Sequence, residues 1–348
     1  MRTGNQSSAG DADQANYCSA YCSGATDEMK ELGNRLLLFV VVAGLIYPIA
    51  VSCQNTAGAE RWAALSAPRT SHAYHAAVAL NGKLYVVGGG RGMDFEVFDP
   101  QTGKWQTLEK PPTQRAFPGA AAVGNSIYLV GGLTREEPYH NTVEAYDVTT
   151  SRWRRCAPLQ VRRNRLAAVA LNGKIYAIGG IPDGRDDTKV TQSDAVEEYD
   201  PNKDRWVKKA DMPTPRHGHA AVVLGDKILV LGGYSWENPK VDDGTSRPTA
   251  SVEEYDPAVD RWTAVSKLPV ARGFLGAAVI EGRVYAVGGR VAGASPFEVF
   301  DPQRDVWSAL PTPPVGQRFG CAELDGRIYV IGGERNERSA WCYTPDKR

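Results

Sequence analysis

One phrase keeps returning along the chain: a polar residue, four apolar residues, then two glycines. It reads KLYVVGG ending at Gly89, KIYAIGG ending at Gly180, RVYAVGG ending at Gly289 and RIYVIGG ending at Gly333. A short apolar run without alternation, closed by glycines, predicts a strand covered on both faces. A segment such as HGHAAVVL precedes it, separated by the hairpin dipeptides Asn-Gly, Gly-Asp, Glu-Gly or Asp-Gly. After the glycines comes a loop of variable length, then EVFD, EAYD or EEYD, then a tryptophan segment such as RWTAVS. Each unit is therefore predicted as four short strands, a to d. Amphipathic runs suited to long helices are missing beyond residue 60.

The spacing is regular enough to count. Glycine pairs begin at Gly88, Gly131, Gly179, Gly232, Gly288 and Gly332, and tryptophans precede them at Trp62, Trp105, Trp153, Trp206, Trp262 and Trp307. The interval is 26 residues five times and 25 once, and Asp99, Asp147, Asp200, Asp256 and Asp301 each lie six residues before a tryptophan. A period of 43–56 residues with these landmarks marks a propeller of four-stranded blades. From Arg61 onward the sequence resembles the Kelch family, which implies an all-β, six-bladed Kelch β-propeller over residues 60–348. After AWCYTP only Asp346, Lys347 and Arg348 remain, while Trp62 stands at strand-d spacing with no strand before it. The expectation is that ERWAALS supplies strand d of blade six and closes the ring.

Composition changes the picture little. Forty basic residues balance forty acidic ones, so no net field draws the chain to nucleic acid. The six cysteines form no paired metal spacing. The first sixty residues are different. Residues 1–28 are polar and small, and read as a disordered or non-native extension ahead of a true start at Met29. Residues 29–52 place Lys30 and Arg35 before an apolar run, Leu36 to Val51, and end in small residues before Cys53. The run is shorter than the roughly 20 residues a membrane span requires. Ala50-Val51-Ser52-Cys53 resembles the lipobox of a bacterial lipoprotein signal, which implies lipidation at Cys53, a linker over 53–59 and an exported propeller at the cell envelope. A simple cleaved signal or an uncleaved anchor are the alternatives, so membrane contact comes through a lipid or the signal segment.

Loops of different length all follow strand b, and the long ones belong to blades two to four. Strand a begins on that same face, nearest the axis. Counting back sixteen from each glycine pair gives His72, Arg115, Arg163, Arg216, Arg272 and Gly316; counting back fourteen gives Tyr74, Phe117, Arg165, Gly218, Phe274 and Arg318. Residues two apart in a strand share a face, so both sets are expected to ring the channel mouth. Guanidinium groups there would hold a carboxylate, phosphate or sulfate, and the rings would stack on flat groups. The family resemblance adds that Kelch domains recruiting acidic peptides use strand-a arginines this way, with Arg165 and Arg318 at the matching places. Tyr234 and Trp236, in the longest loop, are candidate anchors. The alternative for the arginines is bonding within and between blades.

Chemistry of other kinds leaves little trace. His217 and His219 would offer a metal two nitrogens but no third ligand is evident, and the aspartates of PDGRDD and VDDGT miss the calcium-loop spacing. No catalytic residue and no cofactor are assigned. The reading is a non-enzymatic propeller binding a protein partner or an acidic, sugar-like ligand. The alternatives are a sialic-acid-type mutarotase or epimerase, which the Kelch resemblance brings in, and a structural envelope scaffold.

Overall fold

The computed structural model describes residues 61–89, 94–183, 192–235, 246–291, 295–334 and 338–346. Cys53, the 29–52 segment and Trp236 lie outside the described residues. Among the described residues, six four-stranded antiparallel sheets are arranged as blades. The innermost strands are Ala76–Leu80, Gly119–Val123, Ala167–Leu171, Ala220–Leu224, Gly276–Ile280 and Gly320–Leu324. Strand b behaves as its composition requires: in Lys174–Ile178 the four apolar residues are buried and only the lysine is not. The same division recurs in Lys227–Leu231 and Arg327–Ile331.

Apolar strands have two covered faces because each blade packs on two others. One cluster joins Val130 and Val143 of blade two to Ile175, Ala177 and Tyr199 of blade three. Another joins Leu84, Val86 and Phe98 of blade one to Tyr329, Ile331 and Cys342 of blade six. The core is thus a series of layers between blades, and the last layer returns to the first.

Closure uses both ends of the propeller. Arg61–Ala64 pairs antiparallel with Ala340–Thr344, Trp62 standing opposite Tyr343, and the sheet continues through Arg327–Ile331 to Gly320–Leu324. The Trp62 indole packs 5.2 Å from the Tyr343 ring and 5.4 Å from Phe297 of blade five. The other outer-strand tryptophans also tie blades together by hydrogen bonds. Trp153 Nε1 donates to the Glu109 carbonyl at 2.8 Å and Trp206 Nε1 to the Ala157 carbonyl at 2.9 Å. Trp62 Nε1 is buried with no such acceptor among the described residues, so this strand is held by its ladder and its ring contacts.

The glycine pairs have a specific task. The second glycine of each pair donates its N–H to the next blade, as Gly89 does to Arg115 (3.1 Å), Gly132 to Arg163 (3.0 Å) and Gly333 back to His72 (2.9 Å). That approach leaves no space at the first glycine. At Gly131 φ is +60°, and a Cβ would stand 2.6 Å from the Arg163 carbonyl oxygen. Only glycine satisfies both conditions.

Candidate functional site

The position sixteen before each glycine pair does not face the channel. Arg115, Arg163, Arg216 and Arg272 are fully buried and His72 is 1% exposed. Each reaches into its own blade to a strand-c glutamate. Arg115 pairs with Glu144 at 2.8 Å, Arg163 with Glu197 at 2.9 Å, Arg216 with Glu253 at 2.9 Å and His72 with Glu96 at 2.6 Å; Arg272 pairs with Glu298. Other guanidinium hydrogens go to strand-b carbonyls, as from Arg115 to Leu129 (2.9 Å) and from Arg163 to Ala177 (3.1 Å), while Nε of Arg115, Arg163 and Arg272 is buried without a partner among the described residues. Burial pulls the arginine pKa values down, and the glutamate beside each opposes that shift. These five residues are therefore blade staples, which corrects their expected place at the channel mouth.

The reason lies two residues further on. Tyr74, Phe117, Arg165, Phe274 and Arg318 have φ between 52° and 63°, and Gly218 has φ 58°. A left-handed residue breaks the two-residue alternation of a strand. The side chain sixteen back turns into the blade, while the one fourteen back points to the axis. This conformation costs a non-glycine residue about 1–2 kcal/mol. It aims each N–H at the carbonyl of its counterpart in the previous blade. Phe117 donates to Tyr74 (2.8 Å), Arg165 to Phe117 (3.1 Å), Gly218 to Arg165 (3.0 Å), Phe274 to Gly218 (2.6 Å), Arg318 to Phe274 (3.2 Å) and Tyr74 to Arg318 (3.2 Å). The circuit closes on itself and runs opposite to the glycine circuit.

The five side chains at this level and Gly218 form the mouth. The Tyr74 and Phe117 rings lie 4.6 Å apart, with Phe117 6.1 Å from Phe274. The Arg165 guanidinium stands 4.7 Å over Phe117, and that of Arg318 stands 4.6 Å over Phe274 and 5.2 Å over Tyr74. Gly218 leaves the space: a Cβ there would meet the Phe274 ring at 2.8 Å. These residues and their immediate successors, His75 and His219 among them, enclose a cavity of about 130 Å³.

The two arginines differ in their partners. Arg318 Nη1 lies 2.5 Å from Glu334 Oε1. The Tyr74 hydroxyl donates to that oxygen at 3.1 Å, and the Gln317 amide donates to Glu334 Oε2 at 2.5 Å. Arg165 has no carboxylate or other side-chain acceptor among the described residues; its Nε, like that of Arg318, is buried without a partner there. Burial first, and Arg318 second, depress its pKa. Among the described residues no carboxylate compensates the positive charge of Arg165 beside its aromatic floor.

Tyr234 is at the rim, stacked on His217 with centroids 5.5 Å apart and lying 5.4 Å from Phe274. Burial raises its phenol pKa, opposed by Arg290 and Arg318. Of the residues expected at the mouth, the structure brings together Tyr74, Phe117, Arg165, Gly218, Phe274 and Arg318, with Tyr234 at the rim. Two further residues, Glu334 and Arg290, were missed. Both directly follow a glycine pair, the register of Tyr234, so counting forward from the glycines as well as backward finds them.

The profile of the KLHDC2/KLHL20/DRC7 Kelch-repeats domain matches residues 55–233 and 166–348. Kelch-like protein terF of Aspergillus terreus is 34% identical over 131 residues, which cover 34% of this chain and 27% of that protein. Kelch-like protein 35 of Mus musculus is 33% identical over 132 residues, covering 37% and 21% respectively. The matched region is thus about a quarter of the length of these relatives. Among solved structures, that of YjhT superposes with a TM-score of 0.69 at 17% identity, covering 82% of this chain and 98% of the other, a likeness of fold.

Proposed function

Given that the chain belongs to the Kelch-repeat family, we propose that it is a non-enzymatic binding propeller that takes an acidic group of a protein partner at the mouth of its channel. The observation carrying this reading is Arg165. A half-buried guanidinium with no carboxylate among the described residues is costly unless something supplies the missing charge. The cavity is smaller than the roughly 300–1,000 Å³ of sites that enclose whole small molecules. Its size suits the tip of a side chain or a chain terminus, with the rest of the partner spread over the face that carries the strand-b loops. Phe117 and Phe274 supply flat apolar contact beneath, and Tyr234 supplies it at the rim.

Arg165→Gly is the clean test. Gly218 holds the same place in blade four with φ 58°, so glycine keeps the backbone circuit intact. On an array of acidic twelve-residue peptides probed with the full chain, this variant is expected to lose affinity about ten- to a hundredfold, the worth of a charge-assisted hydrogen bond. Thermal unfolding should remain unchanged or rise. Equal binding of acidic peptides by both proteins would overturn the reading.

The same proposal places the propeller at the cell envelope, supported by the order of basic, apolar and small residues over 29–52 ahead of Cys53. The intact mass of membrane-extracted protein should correspond to a start at Cys53 with a diacylglycerol. A mass retaining the Leu36–Val51 run would reject lipidation.

A further inference from the structure

Resting on that reading of the mouth, we propose that Glu334 sets the charge of the ligand, so that the site admits a group with a single negative charge and turns away a dianion. Two guanidinium groups, Arg165 and Arg318, face one small cavity. Two arginines at one site would ordinarily suit a phosphate or a paired carboxylate. Here one of them is already neutralised. Glu334 receives Arg318 at 2.5 Å, the Tyr74 hydroxyl at 3.1 Å and the Gln317 amide at 2.5 Å. Three donors from two blades converge on one carboxylate.

This carboxylate is a fixed negative charge next to the place a ligand's charge would occupy. The Glu334 side chain is 33% exposed and that of Arg318 18%, so solvent screens the pair only in part. A ligand carboxylate on Arg165 meets a guanidinium that has no carboxylate partner among the described residues, and stays outside the Glu334 hydrogen bonds. A second negative charge reaching toward Arg318 meets Glu334 instead, and like charges in a half-buried site repel. The bound anion of the empty mouth is the protein's own. Glu334 is thus a specificity-determining residue, and Tyr74 and Gln317 are the groups that hold it in position.

Glutaramate and glutarate differ by one charge at nearly constant shape, which makes them suitable probes for titration calorimetry with the full chain at low ionic strength and pH 7.5. Wild-type protein is expected to bind glutaramate at least as well as glutarate. Glu334→Gln keeps an oxygen for Arg318 while removing the charge, and should move the ratio toward glutarate by about tenfold, equivalent to about 1.4 kcal/mol. Arg165→Gly should weaken both ligands in either background. If both ligands bind and their ratio is the same in Glu334→Gln, the charge filter is refuted while the acidic mouth stands. Should neither ligand bind to wild type or variant, the acidic mouth itself fails, and the filter with it.

Discussion

Arg272→Met is expected to lower unfolding stability by about 3–5 kcal/mol, among the largest effects of any single change in the propeller. Arg272 is fully buried and Glu298 is 3% exposed. The guanidinium reaches Glu298, the Val270 carbonyl at 3.0 Å and the Ala286 carbonyl at 3.2 Å. Removing it leaves a carboxylate in the blade with no compensating charge, and breaking one side of a buried pair carries a cost of this order. Replacing both residues, Arg272→Met with Glu298→Leu, should recover most of the loss, because the desolvation of both charges disappears together. Blade six supports that expectation. It carries Gly316 and Trp341 where blades two to five carry arginine and glutamate, and Trp341 packs with the cluster that includes Val315 and Tyr343. Urea titrations of both variants give the answer. A single variant within 1 kcal/mol of wild type would show that the staple is dispensable.

Acid should be the second large effect. His75, His217 and His219 stand near the axis and are buried. Burial is the main cause holding all three pKa values down: His217 falls to about 3, helped by Arg165, and His75 and His219 fall well below 6.5. For His75 the His72 charge adds to the shift, and for His219 the Arg216 charge does. In the folded protein these rings are neutral, whereas the unfolded chain takes up a proton on each below about pH 6.5. Their stability contribution is therefore complete above that pH and is lost as pH falls toward 3. Three histidines together should remove about 4–5 kcal/mol between pH 6.5 and pH 5. His219→Leu should reduce that slope by about a third, read from urea midpoints across the range. A flat profile from pH 7 to pH 5 would contradict the burial of neutral rings.

Much of the architecture was readable because its causes are local and repeated. A glycine pair is demanded wherever a strand end abuts a neighbouring carbonyl, as Gly131 abuts Arg163, and a repeat writes that demand many times. Trp62 was readable as a displaced strand d because its spacing to Gly88 is the spacing inside the blades. The site was harder. Tyr74, Phe117, Arg165, Phe274 and Arg318 adopt a left-handed backbone that their identities do not announce; Gly218 alone carries a residue type that favours it. Without that break, strand alternation puts Arg163 beside Arg165 on one face, whereas the structure sends the first into the blade and the second to the axis. Glu334 escaped notice for another reason. It directly follows a glycine pair, a register the repeat does mark, but the residue type there changes from blade to blade (Leu133, Ile181, Tyr234, Arg290, Glu334), so no shared chemistry singles it out.

The hub is sewn by main-chain atoms, from Tyr74 round to Arg318, and this circuit itself uses no side-chain atom. Evolution therefore has a set of side-chain sockets around one axis, limited at Gly218 by the Phe274 ring. Exchange of a single residue there would retune what the protein accepts while the body of the propeller stays whole. Diversity of appetite across such proteins would then cost little in foldability, and a designer seeking a new binder could begin with these sockets alone.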